Sequence, residues 1–354
     1  MQVGLLMVFQ NFMDEMSDRQ AYERDLKLMD LAEPLGFDIA SAVEHHFFSY
    51  GMSPDNMQYL SYLAAKTERI KLLTGAVILP WNNPLRVVEK MTLLDHLSKG
   101  RAIFGIGRGL AKREYDLFDI PMDQARDRFD EAADLIIRGL ETGIVEGDGK
   151  YYPYKRTEVR PGPYASWKGR FNCVAMSSDS VPVCARLGAK MMSFAQKPWD
   201  QMVPHFETYR TLFEEQHHEK PPAPVCVDFL SCSESAEEAE ADARNYMAKY
   251  FLTVMDHYDM AGEHFKNAKG YGDYATNAEA LRSVGLEDAA NGFVDINTWG
   301  TPQQILDKLH ARRETLGDFD LTVQISYGGF PGDKVEKSTR LFAEKVLPEL
   351  QSWK

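Results

Sequence analysis

Two adjacent histidines, His45 and His46, stand in the run Glu44-His45-His46-Phe47 at the end of an apolar stretch. Imidazole titrates near neutral pH, so a histidine facing a cavity suits general acid–base work. The stretch Asp38–Val43 reads as a strand, and neighbours on a strand point to opposite faces. One histidine is therefore expected at the mouth of the fold and the other toward a helical layer. The same alternation argues against both chelating one metal ion, and no metal is expected. For either histidine alone, a structural bond to a loop is the simpler reading.

Three further clusters carry chemistry. Arg108 lies in Gly105-Ile106-Gly107-Arg108-Gly109-Leu110. A planar fork flanked by glycines suits a phosphate, against the alternative of a surface ion pair. The hydroxyls of Met176-Ser177-Ser178-Asp179-Ser180 fall at a helix start, where capping explains one serine and an anion site would use all three. Gly75-Ala76 interrupts a branched apolar run, the mark of a bulge or of close ligand approach, although plain packing explains it equally. Several motifs are absent. GxGxxG would need glycine where Leu110 stands, so there is no nicotinamide fingerprint. No GxxxxGK[ST], GxSxG or HExxH occurs. His217-His218 lies in a polar run and reads as solvated loop.

Strands and helices alternate along the chain and must position these groups. Strands are expected at Val3–Val8, Asp38–Val43, Lys71–Leu79, Arg101–Ile106, Arg170–Ala175, Lys190–Phe194, Pro224–Cys232 and Leu321–Ser326. Helices are expected between them, among them Arg19–Leu35, Pro54–Glu68, Leu85–Leu97, Asp123–Leu140, Ala236–Met255 and Pro302–Leu316, with a closing helix stopped by Pro348. Eight alternations favour a closed (β/α)8 barrel over a doubly wound open sheet. The reading is one domain, 1–354, with insertions near 143–169 and 257–298. The first looks like a small hairpin, and the second like a long polar loop able to act as a lid.

The 354 residues are 44% hydrophobic and 26% charged, enough for a large core. A net charge of -13 disfavours nucleic acid and anionic membranes as partners. The N-terminus reads as a strand and not a signal peptide, so a cytoplasmic protein is expected. The four cysteines, Cys173, Cys184, Cys226 and Cys232, lack CxxC spacing and are expected as reduced core thiols.

Taken together, EHHF, TGAVILPWNNPLR, KMTLLDHLSKGR, GIGRGL and VAMSSDS resemble the bacterial luciferase-like flavin-dependent monooxygenases, in particular the alkanal-oxidising catalytic subunit. Lys269-Gly270-Tyr271 and Gly300-Thr301-Pro302 extend the resemblance over nearly the whole chain. It implies a (β/α)8 TIM barrel with FMN at its mouth, reduced FMN and O₂ as co-substrates, and a separate flavin reductase. The substrate would be a small organic molecule such as an aldehyde or ketone, oxygenated through a peroxyflavin.

Carried over by position, His45 matches the catalytic histidine. Gly75-Ala76 matches a bulge with a cis peptide under the flavin, Arg108 a phosphate ligand and Leu110 a residue near the ring. Ser177, with Ser178 or Ser180, matches phosphate-contacting hydroxyls. Met176 replaces a glutamate and Gly107 a reactive cysteine, which argues against light emission. Phe47, Trp81, Phe194 and Trp299 are candidates for an apolar substrate pocket. His46 and Glu89 are candidates for a homodimer interface. Two other readings are an F420-dependent oxidoreductase of the same barrel family and a non-catalytic partner subunit. The presence of Arg108 and of both histidines disfavours the second.

Overall fold

The computed structural model describes residues 1–353. In chain order its strands are β1 (Val3–Met7), β2 (Ile39–Ala42), β3 (Lys71–Thr74), β4 (Val77–Ile78), β5 (Ala102–Gly107), β6 (Ile144–Asp148), β7 (Pro153–Glu158), β8 (Phe171–Val174), β9 (Lys190–Phe194), β10 (Val225–Cys232), β11 (Thr298–Gly300) and β12 (Asp320–Gln324). The helices are α1 (Asp18–Met29), α2 (Asn56–Lys66), α3 (Pro84–Leu97), α4 (Lys112–Leu117), α5 (Ala125–Thr142), α6 (Ser180–Arg186), α7 (Trp199–His217), α8 (Ala236–Asp242), α9 (Ala248–His257), α10 (Gly272–Val284), α11 (Leu286–Asp295), α12 (Pro302–Leu316), α13 (Gly332–Lys345) and α14 (Leu347–Ser352).

The sheet closes on itself. β1 pairs in parallel with β2 on one side, Gly4 opposite Ile39, and with β12 on the other, Val3 opposite Leu321. The circuit continues through β3, β5, β8, β9 and β10 back to β12. This is the eight-stranded parallel barrel expected, and closure removes the open-sheet alternative. Strands buried on both faces need apolar residues at nearly every position, which is why β1 reads Val-Gly-Leu-Leu-Met without polar alternation. Leu6, Val8, Ile39, Val43, Leu73, Ile103, Val225 and Val227 pack as one cluster. Their strand neighbours, such as Leu5, Met7, Ala40 and Leu72, join the larger core with the helices.

Several elements depart from the sequence reading. The third strand is broken: β3 ends at Thr74, the Gly75–Ala76 peptide is cis, and β4 resumes at Val77. A Cβ on Gly75 would come within 2.4 Å of Ser41 Oγ, so the close approach belongs to the chain itself. β2 stops at Ala42, so His45 and His46 lie beyond the strand and alternation does not orient them. The segment 257–298 is mainly helical, through α10 and α11, and ends in the short extra strand β11 beside β10. Pro348 does not end the helical chain but opens α14. The 143–169 excursion holds the β6–β7 hairpin, as read. All four cysteines are free and buried. No helix among the described residues is long and apolar enough to cross a membrane.

Candidate active site

A cavity of about 720 Å³ lies where the segments following β2, β3, β5, β8 and β9 meet the segment that carries α10 and α11. That is toward the upper end of the roughly 300–1,000 Å³ typical of small-molecule sites. His45, Gly75, Ala76, Trp81, Arg108, Leu110, Met176, Ser177, Ser180 and Phe194 all line it. Phe47, Ser178 and Trp299 do not.

Two arginines meet in one part of the cavity. Arg108 leaves β5 between glycines and lies flat on the Tyr271 ring, 3.7 Å from its centroid. Arg126, in the first turn of α5, lines the same cavity and is 9% exposed. Gly270 brings the two together: a Cβ there would lie 2.4 Å from Arg108 Nη1 and 3.5 Å from Arg126 Nε. Arg108 Nη1 and Arg126 Nη2 are both buried without a hydrogen-bond partner. Burial first, and then Arg108, lowers the Arg126 pKa, yet arginine keeps its proton in proteins. Asp130 lies 3.9 Å from Arg126 Nη1 and leaves Arg126 Nη2 and Arg108 Nη1 unmet, and buried donors of two facing cations are costly to leave unmet unless a further anion joins them. Ser177 and Ser180 complete the cradle, with their hydroxyls 3.0 Å apart. Backbone amides in this turn are already occupied. Ser180 Oγ accepts from the amides of Met176 at 3.1 Å and Ser177 at 2.9 Å. Asp273 caps the Ser178 amide at 2.8 Å and its hydroxyl at 3.1 Å, which draws Ser178 toward α10 and away from the cavity. The residues present therefore fit a phosphate monoester.

A second part holds the proton chemistry. His45 Nδ1 is 3.1 Å from Glu114 Oε1, and His45 Nε2 is 3.1 Å from the Tyr258 hydroxyl. The His46 amide donates to the same Glu114 oxygen at 2.8 Å. Burial by itself would raise the Glu114 carboxyl, but His45 and His257 beside it hold it well below the usual carboxylate range. His45, Glu114 and His257 place possible metal-ligand atoms within 4.8 Å of one another. They converge on Glu114 Oε1, which already accepts from the His46 amide and lies beside His45 Nδ1, with His257 Nε2 farther off at 3.5 Å.

His46 turns the other way, but not to the helical layer. Its Nε2 is 3.1 Å from Glu44 Oε1, and its ring meets Trp81 and Phe118 edge-on. Glu44 also accepts from the Trp81 indole at 2.6 Å, the Asn82 side chain at 2.8 Å and the Ile78 amide at 3.1 Å. This one carboxylate ties the His45–His46 segment to the turn after the cis peptide. Glu89 is on the outside of α3, paired with Arg86, so within the chain it does not meet His46.

Two pocket assignments are corrected. Phe47 has φ 68° and is 60% exposed, because the left-handed turn carries its ring out onto Phe118. Trp299 lies on β11, where Lys308 covers its ring at 3.8 Å and Val294 O accepts its indole N–H. The apolar wall comes instead from Phe229, Tyr250, Phe251, Val254 and Phe293.

Sequence reasoning missed Arg126, Glu114, His257 and Tyr258. For Arg126 a signal existed. It falls on the stripe Phe129, Ala133, Ile136, Leu140, the buried face of α5, where a charge has no business without a partner. Glu114 and Tyr258 join the site only through tertiary folding, from segments far from His45 in sequence.

The family model described as luciferase-like monooxygenase matches residues 1–318. The alkanal monooxygenase alpha chain of Photobacterium leiognathi is 26% identical over 343 residues, 95% of each chain. Among solved structures, monooxygenase RslO1 from Streptomyces bottropensis superposes with a TM-score of 0.79 at 27% identity, over 99% of both chains. The oxygenating constituent of 3,6-diketocamphane monooxygenase of Pseudomonas putida, a type II Baeyer–Villiger monooxygenase in complex with FMN, shares the fold with a TM-score of 0.77 at 18% identity, over 99% of this chain and 98% of that one. So does the coenzyme F420-dependent tetrahydromethanopterin reductase of Methanopyrus kandleri, with a TM-score of 0.69 at 20% identity over 99% of both.

Proposed function

The chain belongs to the luciferase-like monooxygenase family, and from that membership we propose that it is an FMN-dependent monooxygenase acting on a small, largely apolar organic substrate. A separate reductase provides the reduced FMN, since the sequence has no nicotinamide fingerprint. The observation that carries this reading is the pair of buried, unpartnered guanidinium nitrogens of Arg108 and Arg126 in the cavity that also holds His45. A phosphate monoester supplies the acceptors they lack.

When bound, reduced FMN supplies the electrons that activate O₂ for transfer of an oxygen atom to the substrate. The chain's own residues do the rest. Arg108, Arg126, Ser177 and Ser180 hold the phosphate. Glu44 fixes the turn that presents Trp81. Glu114 holds His45 at Nδ1, so the imidazole gives or takes a proton at Nε2, beside the Tyr258 hydroxyl. Phe229, Phe251, Val254 and Phe293 keep water away and give an aldehyde or ketone an apolar wall. α2 and α3 expose Tyr62, Leu93 and Leu97, an apolar surface suited to a second copy of the chain.

The test supplies the purified chain with a flavin reductase, FMN, ¹⁸O₂ and a panel of aldehydes and ketones. The expected product carries one labelled oxygen. Hydride transfer with F420 and no label in any product would overturn the reading in favour of an F420-dependent oxidoreductase. Failure to bind either flavin would point to a non-catalytic partner subunit.

A further inference from the structure

Two phenols stand at the edge of the apolar wall. Tyr50, from the segment after β2, and Tyr250, of α9, both line the main cavity, and their hydroxyls lie 2.7 Å apart. Either can be the donor. Each hydroxyl carries one hydrogen, so the bond between them uses one of two. When Tyr50 donates, the Tyr250 O–H is left over. Tyr50 is held in place, stacked on His257 at 4.2 Å and edge-on to His45 at 5.0 Å and to Tyr258 at 5.6 Å. The Tyr258 hydroxyl is itself engaged by His45 Nε2, 3.1 Å away. Tyr250 meets the apolar side instead. Its ring lies 4.5 Å from that of Phe229, which meets Phe293 edge-on at 5.3 Å.

We propose that the Tyr250 hydroxyl, backed by Tyr50, receives the carbonyl oxygen of the substrate, so that the site selects aldehydes and ketones over molecules of the same shape that lack an acceptor. The proposal rests on the reading of this cavity as the place where a small apolar molecule is oxygenated. Other polar groups of the cavity suit that oxygen less. Arg108, Arg126, Ser177 and Ser180 serve the phosphate in the same reading. Glu114, held ionised by His45 and His257, can only accept. A carbonyl oxygen on Tyr250 places the carbon chain it belongs to against Phe229 and Phe293.

The energetics favour this pairing. A phenol hydrogen without an acceptor in an apolar setting is costly, and a carbonyl oxygen removed from water needs a donor, so each satisfies the other. Two hydroxyls in series polarise one another, which makes the terminal one the stronger donor. When an oxygen nucleophile derived from O₂ adds to the carbonyl carbon, one C–O bond forms and the π bond of the carbonyl opens. The π electron pair moves onto the carbonyl oxygen, and the hydrogen bond from Tyr250 strengthens as that charge develops. Burial raises both phenols well above their ordinary range, so Tyr250 keeps its proton and acts by donating a hydrogen bond.

The experiment uses the full chain free of flavin and two probes. One is cyclohexanone labelled with ¹³C at the carbonyl, and the other is methylenecyclohexane, which has the same shape and no acceptor oxygen. Infrared difference spectra read the carbonyl band, and calorimetric titration reads affinity. The band of bound cyclohexanone should lie at lower wavenumber in the wild type than in an apolar solvent, and should return to the solvent position in Tyr250→Phe. That variant should bind cyclohexanone about three- to tenfold more weakly, the scale of one neutral hydrogen bond, and methylenecyclohexane as the wild type does. Tyr50→Phe keeps the Tyr250 hydroxyl but removes the one behind it, so the band should shift less than in the wild type. A wild-type protein without a shifted band, a shift that survives Tyr250→Phe, or an equal loss of affinity for both probes would overturn the proposal. FMN is titrated into the same samples separately, and its failure to bind would sink the proposed function without changing these readings.

Discussion

Arg108 lies with its guanidinium 3.7 Å from the centre of the Tyr271 ring, and Tyr271 donates its hydroxyl to Gly109 O at 2.8 Å. The segment leading into α10 thus sits directly on the arginine that follows β5. Gly270, just before this ring, has φ +80°, a region that L side chains rarely adopt. Gly270→Ala would add a Cβ 2.4 Å from Arg108 Nη1. FMN affinity should fall about tenfold or more, as expected for losing part of a charge-assisted contact, with riboflavin affinity nearly unchanged. Parallel fluorescence titrations check this, and an equal loss for both ligands would rule out displacement of Arg108 as the cause.

Arg126 offers a test of opposite sign in the free and bound protein. Without a phosphate it is a buried cation with an unmet donor, facing Arg108. Arg126→Ala should raise the melting temperature of the flavin-free protein, because removing one of two like buried charges relieves desolvation and repulsion. The same variant should lose about 1.5–3 kcal/mol of FMN binding. Thermal melts with and without FMN give both numbers. Asp130, 3.9 Å from Arg126 Nη1, offsets part of that relief, and a flavin-free protein that melts lower than the wild type would show that this ion pair outweighs it.

The barrel was legible in the sequence because parallel strands covered on both faces must be apolar throughout and must alternate with helices. The anion site was half legible. Arg108 stood out between glycines, whereas Arg126 hid in a charged run whose helical period placed it inward. The orientation of His45 and His46 came from a strand rule that does not apply, since β2 ends at Ala42. Their divergence is set by two carboxylates, Glu44 and Glu114, one next in sequence and the other distant. Phe47 and Trp299 read as pocket residues by type alone. A left-handed φ at the first and an extra edge strand at the second took them outside, and neither feature leaves a period in the sequence.

His257 makes stability depend on acid. Its folded pKa, about 4, lies below the 6.5 of the free side chain. Between those values the unfolded chain binds a proton here that the folded chain does not, so stability rises with pH across the window and is lost on acidification. The loss at pH 4.5 relative to pH 7 should be about 2–3 kcal/mol from this residue. Glu114, whose folded pKa is also lowered, acts in the same direction but below its free value of 4.5. Urea unfolding at the two pH values should show a smaller difference in His257→Phe than in the wild type. Identical differences would mean that His257 is protonated in the folded protein.

The α10 segment is fastened at its start to the cradle, by Asp273 to Ser178 and by Lys269 to Asp127 at 2.7 Å. Ligand in the cavity should stabilise this segment more than the barrel beneath it. Hydrogen exchange across 262–297 should slow several-fold on adding FMN, with little change in β3. Asp273→Asn should shrink that effect by weakening the clasp. Equal protection of lid and barrel, or none, would leave no coupling between the cradle and the lid.

The central claim, that this cavity binds a flavin by its phosphate, is tested most directly by titrating Arg108→Ala with FMN and with riboflavin side by side. FMN affinity should drop about tenfold or more, the scale of one charge-assisted hydrogen bond to a buried anion, while riboflavin binds the variant as it binds the wild type. If the variant keeps wild-type affinity for FMN, or loses as much for riboflavin as for FMN, Arg108 does not hold the phosphate and the site has been read wrongly.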